Sequence, residues 1–269
     1  MLYLIATPIG NLEDLTYRAV KILNFCDYTL CEDTRKSIIL FEKYNIKKPL
    51  FSFHKFNEYK EEEKILDDLK TEKNIAIISD AGTPLICDPG KNLIKRCIEE
   101  NIAFTSIPGP CSIVNALVLS GMENNFFQFF GFFPKTEKEQ IAMLRKAALF
   151  DGTTIFFEVP HRLIKTLKLL DSMEFKVSLC REMTKIHEEC RRGTGQDLLK
   201  HFENREIKGE IVLLLEGGKK LEEQNISTPE LITLLQENFS CSLKEAIKWA
   251  AKLKNTPKTK LSKEYFTSI

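Results

Sequence analysis

Residues 74–101 read NIAIISDAGTPLICDPGKNLIKRCIEEN, and this stretch decides the fold. An apolar run of strand character is followed by a loop rich in proline and glycine, and then by an amphipathic segment of helical period. The same alternation occurs earlier in the chain, where LYLIAT precedes LTYRAVKILNF and YTLCED precedes TRKSIILFEKY. Strands that alternate with helices in this way predict an α/β domain with a largely parallel sheet.

A second set of alternating segments follows, with the apolar runs FFQFFGFF, TTIFFEVP, KVSLCREM and EIVLLLEG separated by helical stretches. We therefore predict an N-terminal α/β lobe at residues 1–115, a C-terminal α/β lobe at 116–220 and a small helical region at 221–269. Gly217, Gly218 and the polar run KKLEEQN that follows them read as a linker. Two lobes leave a cleft between them, where small ligands commonly bind.

Composition restricts the class of protein. The 269 residues have 43% hydrophobic content and a formal net charge of only +1, and no apolar run is long enough to cross a bilayer. The eight cysteines form no CxxC pair, so we expect buried thiols in a reducing compartment and no metal site. These features predict a soluble cytoplasmic protein without a membrane partner. The basic charge is concentrated after Cys241, where seven lysines accompany two glutamates.

Three loops that follow apolar runs are candidates for ligand binding. They are Thr7–Thr16 (TPIGNLEDLT), Ser79–Gly90 (SDAGTPLICDPG) and Ile107–Ser112 (IPGPCS). Prolines and glycines make such loops stiff, and ligands bind at the carboxyl edge of open α/β sheets. None has the GxGxxG or GxxxxGK[ST] spacing, which disfavours dinucleotide and nucleoside triphosphate ligands. Taken singly, the first loop is compatible with an ordinary turn between strand and helix, and the third with a rigid interdomain bend.

In combination, these loops closely resemble the ribosomal RNA small subunit methyltransferase I family, which has the tetrapyrrole methylase fold. The resemblance runs from Leu2 to about Gly217 and includes CEDTR at 31–35, FH at 53–54, FEVPHR at 157–162 and GEIV at 209–212. It implies a two-lobed tetrapyrrole-methylase-like fold with S-adenosylmethionine in the interlobe cleft, and a helix-turn-helix-like tail. It also implies a homodimer that 2′-O-methylates a cytidine ribose in the decoding region of 16S ribosomal RNA. The substrate it implies is the small-subunit RNA within the assembled subunit.

Carried over residue by residue, the resemblance implies a set of cofactor-binding positions at strand ends of both lobes. They are Thr7, Pro8, Gly10, Asp80, Gly82, Thr83, Pro84, Ser112, Glu158, Gly209 and Glu210.

Methyl transfer to a ribose hydroxyl needs help, because a neutral hydroxyl is a poor nucleophile and a nearby base favours its deprotonation. The candidate catalytic residues are Glu32, Asp33 and His54, which follow predicted strands of the first lobe. Arg35 and Arg162 are candidates to hold phosphate or ribose by paired hydrogen bonds. The alternative is that Asp33 and Arg35 form a purely structural ion pair.

Further candidates for RNA contact lie in two basic segments. Arg191 and Arg192, beside two glycines, are predicted to form a basic loop, and Lys244, Lys248 and Lys252 recur every four residues on one helical face. These charges suit contact with phosphates, independent of sequence. A solvated helix surface is the alternative.

Two other functions stay open at this stage. A methylase of the same fold could act on carbon atoms of a corrin or other tetrapyrrole precursor, and a non-catalytic RNA-binding protein could use the cleft structurally. The basic tail and the CEDTR and FHKFNE segments favour the RNA enzyme over the tetrapyrrole enzyme.

Overall fold

The computed structural model describes residues 1–218, 227–239, 241–254 and 256–267. Most of the predicted linker, from residue 219 onward, therefore lies outside the described residues. The first half of the chain forms a five-stranded parallel sheet with strand order β3-β2-β4-β1-β5. Its strands are β1 (Leu2–Ile5), β2 (Tyr28–Cys31), β3 (Leu50–Ser52), β4 (Ile75–Ile78) and β5 (Phe104–Ile107).

Helices alternate with these strands, as the sequence pattern predicts. They are α1 (Tyr17–Phe25), α2 (Thr34–Lys43), α3 (Glu58–Lys70) and α4 (Lys91–Glu99). All four residues of β4 are buried, because both faces of a parallel sheet pack against other elements. Two apolar clusters result, one containing Ala76 and Ile78 and the other Ile75 and Ile77.

The second half forms a mixed five-stranded sheet with strand order β6-β7-β10-β8-β9. Its strands are β6 (Phe127–Phe132), β7 (Thr153–Glu158), β8 (Lys176–Arg181), β9 (Glu189–Thr194) and β10 (Ile211–Glu216). Its helices are α5 (Ser112–Ser120), α6 (Glu137–Leu149), α7 (Leu163–Ser172) and α8 (Gly195–Phe202). Only β6 and β7 run parallel; the remaining neighbours are antiparallel.

The prediction of a basic loop at Arg191 and Arg192 was wrong, because both residues belong to strand β9. They pair in antiparallel register with Leu179 and Ser178 of β8. The strand lies at the edge of the sheet and all six of its residues are at least partly exposed, so it lacks the apolar alternation by which a strand is recognised.

Helix α5 joins the two sheets. Its residues Ile113, Ala116 and Leu117 pack in one cluster with Ile155 and Val212 of the second sheet. The predicted lobe boundary between residues 115 and 116 therefore falls inside a continuous helix that packs against the second sheet.

The C-terminal helices α9 (Thr228–Phe239), α10 (Leu243–Leu253) and α11 (Lys258–Thr267) surround their own apolar cluster, which includes Ile247 and Leu261. Ser242 and Glu245 form a capping box at the start of α10, as the sequence predicts. Lys244, Lys248 and Lys252 are exposed on one face of this helix, opposite its buried face. No helix in the described ranges is both long and apolar enough to span a membrane.

Candidate functional site

Three loops of the first lobe meet at the carboxyl edge of its sheet. The backbones of Thr7 and Gly82 exchange two hydrogen bonds, of 2.9 and 3.0 Å, which join the loop after β1 to the loop after β4. The Thr83 hydroxyl donates to the carbonyl of Pro110 at 3.2 Å and so adds the loop after β5. Neighbouring parallel strands end side by side, which is why loops far apart in sequence come together here.

The second lobe closes over this edge through a close backbone contact at Gly10. A Cβ on Gly10 would lie 2.8 Å from the Met183 carbonyl oxygen and 2.6 Å from Thr184 Oγ1. The Asn11 amide donates to the same Thr184 hydroxyl at 2.9 Å. Gly10, predicted to let backbone approach a ligand, is thus required here for contact between the two lobes.

A cavity of about 340 Å³ lies between the lobes, and we call it the cleft cavity. Its volume is in the range of small-molecule sites. Apolar walls come from both lobes, including Ile9, Phe157 and Met183. Six of the predicted cofactor-binding residues line it: Gly82, Thr83, Ser112, Glu158, Gly209 and Glu210.

A second cavity of about 280 Å³ lies beside the first, and the predicted residues Thr7, Pro8, Gly10 and Asp80 line it instead. The Asp80 carboxylate there accepts hydrogen bonds from the Asp33 amide at 3.2 Å and from Lys36 Nζ at 2.7 Å. Asp80 therefore ties the loop after β2 to the loop after β4. Pro84 is buried and lines neither cavity.

The candidate catalytic residues Glu32, Asp33 and His54 line neither of these cavities. Asp33 caps α2 and accepts from Arg35 Nε at 3.0 Å and Nη2 at 2.8 Å. These hydrogen bonds lower the pKa of Asp33 to about 2, which makes it a weak base. His54 Nδ1 accepts a hydrogen bond from the Phe56 amide at 3.3 Å. Burial, followed by the charge of Asp80, raises the pKa of Glu32.

Glu158 is the best-satisfied carboxylate of the cleft cavity. Its side chain is fully buried and accepts from the Val159 amide at 2.7 Å, from Arg162 Nη2 at 2.6 Å and from the Thr166 hydroxyl at 2.6 Å. Arg162 also donates to the carbonyls of Phe133 and Pro134, at 3.0 and 3.2 Å. Arg162 was predicted to hold phosphate or ribose. In the structure its guanidinium instead joins the end of β7 to the segment after β6.

Asp88 lies in the wall of the same cavity, and its environment is different. Burial first, and then the charges of Glu32 and Asp80, raise the pKa of its carboxyl to about 7. The loop around it holds Leu85 and Cys87 at φ of 71° and 72°, a backbone conformation that costs free energy in residues other than glycine and occurs often at functional sites.

The remaining candidate arginines lie outside the cleft cavity. Arg35 is 89% exposed apart from its pairing with Asp33, and Arg191 is 52% exposed beside Glu189. Arg192 donates to the backbone carbonyls of Leu119 and Ser120 and so stabilises the C-terminal end of α5.

Sequence reasoning did not select Asp88, Lys36 or Lys185, which line the two cavities. Asp88 stands in the loop chosen as a ligand loop, so its position in a proline- and glycine-rich segment after a buried strand was an available signal. No local pattern marks Lys185, because its place at the site depends on the contact between lobes.

Comparison with known proteins assigns this two-lobed α/β fold to the methylases. Residues 1–199 match the family described as Tetrapyrrole (Corrin/Porphyrin) Methylases, and the chain belongs to that family. A solved cobalt precorrin-4 methyltransferase superimposes with a TM-score of 0.59 at 19% identity, covering 80% of this chain and 93% of that one. This likeness shows the fold.

Within that family, the chain belongs with the proteins named ribosomal RNA small subunit methyltransferase I. It is 40% identical over 264 residues to the one from Halalkalibacterium halodurans, covering 96% of this chain and 91% of the relative. Identity to the one from Thermotoga maritima is 43% over 220 residues, covering 80% and 98%. The predicted family, fold, methyltransferase class and S-adenosylmethionine dependence are confirmed.

Proposed function

We propose that this protein transfers a methyl group from S-adenosylmethionine to the ribose 2′-oxygen of a cytidine in the decoding region of 16S ribosomal RNA. The observation that carries the proposal is the 40% identity to a ribosomal RNA small subunit methyltransferase I along 96% of the chain.

The cleft cavity fits the methyl donor. Apolar side chains such as Phe157 and Val212 suit an adenine ring, and the hydroxyls of Thr83 and Ser112 suit its ribose. Ser112 is the first residue of α5, and the capping residue Cys111 gives that helix no side-chain hydrogen bond. A helix N-terminus of this kind favours a carboxylate such as that of the methionine part. When bound, S-adenosylmethionine supplies an electrophilic methyl group on a sulfonium.

The protein itself accelerates methyl transfer by aligning the reactants and by excluding water from the cleft cavity. The two-lobed enclosure and the backbone contact at Gly10 hold the walls of the cavity in place. Alignment of this kind accounts for a large share of the acceleration in displacement reactions.

The C-terminal helices support an RNA acceptor. Lys244, Lys248 and Lys252 are exposed along one face of α10, where they are available to phosphates. We expect replacing all three with alanine to weaken binding of small-subunit RNA and to reduce its dependence on salt. Alanines at Lys43, Lys47 and Lys48 are the control. An unchanged salt slope in the α10 variant would remove this helix from the RNA-binding surface.

We further propose that the protein is a cytoplasmic homodimer that acts on the assembled small subunit. Strand β6 at the edge of its sheet exposes Phe127 and Phe132, and α5, which packs on the same face of that sheet, exposes Val118 at 69%. Large exposed apolar groups in one region are typical of protein interfaces. Light scattering of the purified chain measures the oligomeric state, and a monomer at micromolar concentration would contradict the dimer.

The experiment that tests the function is mass mapping of ribose methylation in small-subunit RNA from cells lacking this protein. We expect one cytidine 2′-O-methyl group to be lost and to return with a plasmid copy. Persistence of every decoding-region methyl group would overturn the proposal. Titration calorimetry with S-adenosylmethionine separates either methylase from a non-catalytic RNA-binding protein, which would bind none.

A further inference from the structure

Three carboxylates line the cleft cavity, those of Asp88, Glu158 and Glu210. Glu158 accepts three hydrogen bonds and is fully buried, so its oxygens are occupied by the protein. Glu210 is 68% exposed and pairs with Lys185 at 3.3 Å. Asp88 forms no hydrogen bond or ion pair with any residue that the structure describes, which leaves its oxygens available to a ligand.

The loop that carries Asp88 is held firmly. The Gly90 amide donates to Glu58 Oε2 at 3.0 Å, which fixes the end of the loop to the start of α3. Across the cleft, a Cβ on Gly131 of β6 would lie 3.4 Å from Cys87 Sγ, so the loop is close to the second lobe. A carboxylate presented by such a loop has a defined position at the boundary between the lobes.

The charged groups around Asp88 favour its protonated form. Glu32, from the loop after β2, and Asp80, from the same loop as Asp88, are both negative; Lys55, from the loop after β3, is positive. The thiol of Cys87 is adjacent, and burial raises its pKa. Partial burial first, and then the charges of Glu32 and Asp80, raise the pKa of Asp88 to about 7, while Lys55 opposes them. At that pKa a general base both is ionised and can hold a proton near neutral pH.

We propose that Asp88 is the base that accepts the proton of the acceptor hydroxyl during methyl transfer. This inference rests on the proposed function. The O–H bond of the hydroxyl breaks and its proton passes to a carboxylate oxygen of Asp88. The hydroxyl oxygen forms a bond to the methyl carbon while the bond from that carbon to sulfur breaks, and its electron pair stays on the sulfur. The charge on sulfur is neutralised and Asp88 becomes neutral.

The test uses the full-length protein, small subunits purified from cells lacking it, and single-turnover transfer of a labelled methyl group. We expect Asp88→Asn to slow transfer by about 10²–10⁴-fold, the usual contribution of a general base. The wild-type rate should rise with pH up to about pH 7 and then level, and Asp88→Asn should abolish this rise. Asp67→Asn, an exposed aspartate on α3, is the matched control and should behave as wild type.

Two further measurements separate a base from a residue that only supports the cavity. Calorimetry should give Asp88→Asn an S-adenosylmethionine affinity within about threefold of wild type, because the proposal assigns Asp88 to the acceptor. Asp88→Glu keeps a carboxylate, so it should transfer faster than Asp88→Asn and retain the rise with pH.

The outcomes are distinguishable. A wild-type protein that methylates no small subunit overturns the proposed function together with this inference. An active wild type whose Asp88→Asn variant transfers within tenfold of it, or shows the same pH profile, overturns the role of Asp88 alone. Loss of S-adenosylmethionine binding in Asp88→Asn would also overturn it, since Asp88 would then hold the cofactor.

Discussion

The loop at residues 79–90, after β4, and the loop at residues 158–162, after β7, both present a carboxylate to the cleft cavity, but the protein uses them differently. Glu158 is bonded on both oxygens to its own lobe, whereas Asp88 lies among like charges with no hydrogen-bond partner in the described part of the chain. A carboxylate with satisfied oxygens organises structure, and an unsatisfied one at a cavity wall is available for chemistry. The two loops therefore predict opposite responses to substitution.

The largest effect on stability is expected for Glu158→Ala. It would leave the guanidinium of Arg162, which is only 20% exposed, without its carboxylate partner. The guanidinium would keep only its hydrogen bonds to the carbonyls of Phe133 and Pro134, because its Nε has no partner among the residues that the structure describes. Breaking a buried pair in this way costs about 3–5 kcal/mol. Chemical denaturation of the ligand-free protein measures the free energy of unfolding.

Glu216→Ala is the control for that variant. Glu216 also ends a strand, but it is 47% exposed and pairs with Lys176, itself 73% exposed. Such pairs contribute about 0–1 kcal/mol. If the two variants lost the same free energy, the distinction between an organising and an ordinary carboxylate would fail.

A smaller effect on stability, which depends on pH, is expected for Asp88→Asn. The pKa of Asp88 is about 7 in the folded protein and about 3.9 when unfolded, so the folded state binds more protons between these values. Wild-type stability therefore falls as pH rises from about 4 to about 7, and asparagine removes this loss. We expect the variant to gain about 2–4 °C in Tm over wild type at pH 8, after allowance for solvent screening, and little at pH 5.

Differential scanning calorimetry across this pH range measures the effect without RNA or S-adenosylmethionine. A Tm difference that stays constant from pH 5 to pH 8 would show that Asp88 does not titrate there, and would remove its contrast with Glu158.

The smallest effect is expected for Arg35→Ala, in the loop after β2. The Arg35 side chain is 89% exposed in its pair with Asp33, and ion pairs open to solvent contribute little to stability. Tm should change by no more than ~1 °C. A larger fall in thermal scans would mean that this loop, like the one after β7, is organised by its ion pair.

Much of the fold follows from local pattern. Alternating runs predict both sheets, because each apolar run and each amphipathic segment must bury one face. Strand β9 escaped detection since its side chains are largely polar and it is held by pairing with β8. The loops at Thr7–Thr16 and Ser79–Gly90 were also selected from sequence, as stiff segments after buried strands, and residues of both line the two cavities.

The chemistry of individual side chains depends on partners distant in the chain. Asp80 is engaged by Lys36, 44 residues away, and Arg162 by carbonyls of the segment after β6. Nothing near Asp88 in sequence shows that Glu32 and Lys55 surround it. Paired and unpaired carboxylates look alike in a sequence, and the assignment of the remaining site residues stays a prediction.

The cleft cavity has walls from Ile9 to Val212, so its assembly has a consequence during protein synthesis. The nascent chain leaves the ribosome with its N-terminus first, so it cannot complete the cavity until β10 has emerged. Any folding of the first lobe before that point gains no stabilisation from a ligand bound in the cavity. An enzyme proposed to modify ribosomes would thus become able to bind its methyl donor only late in its own translation.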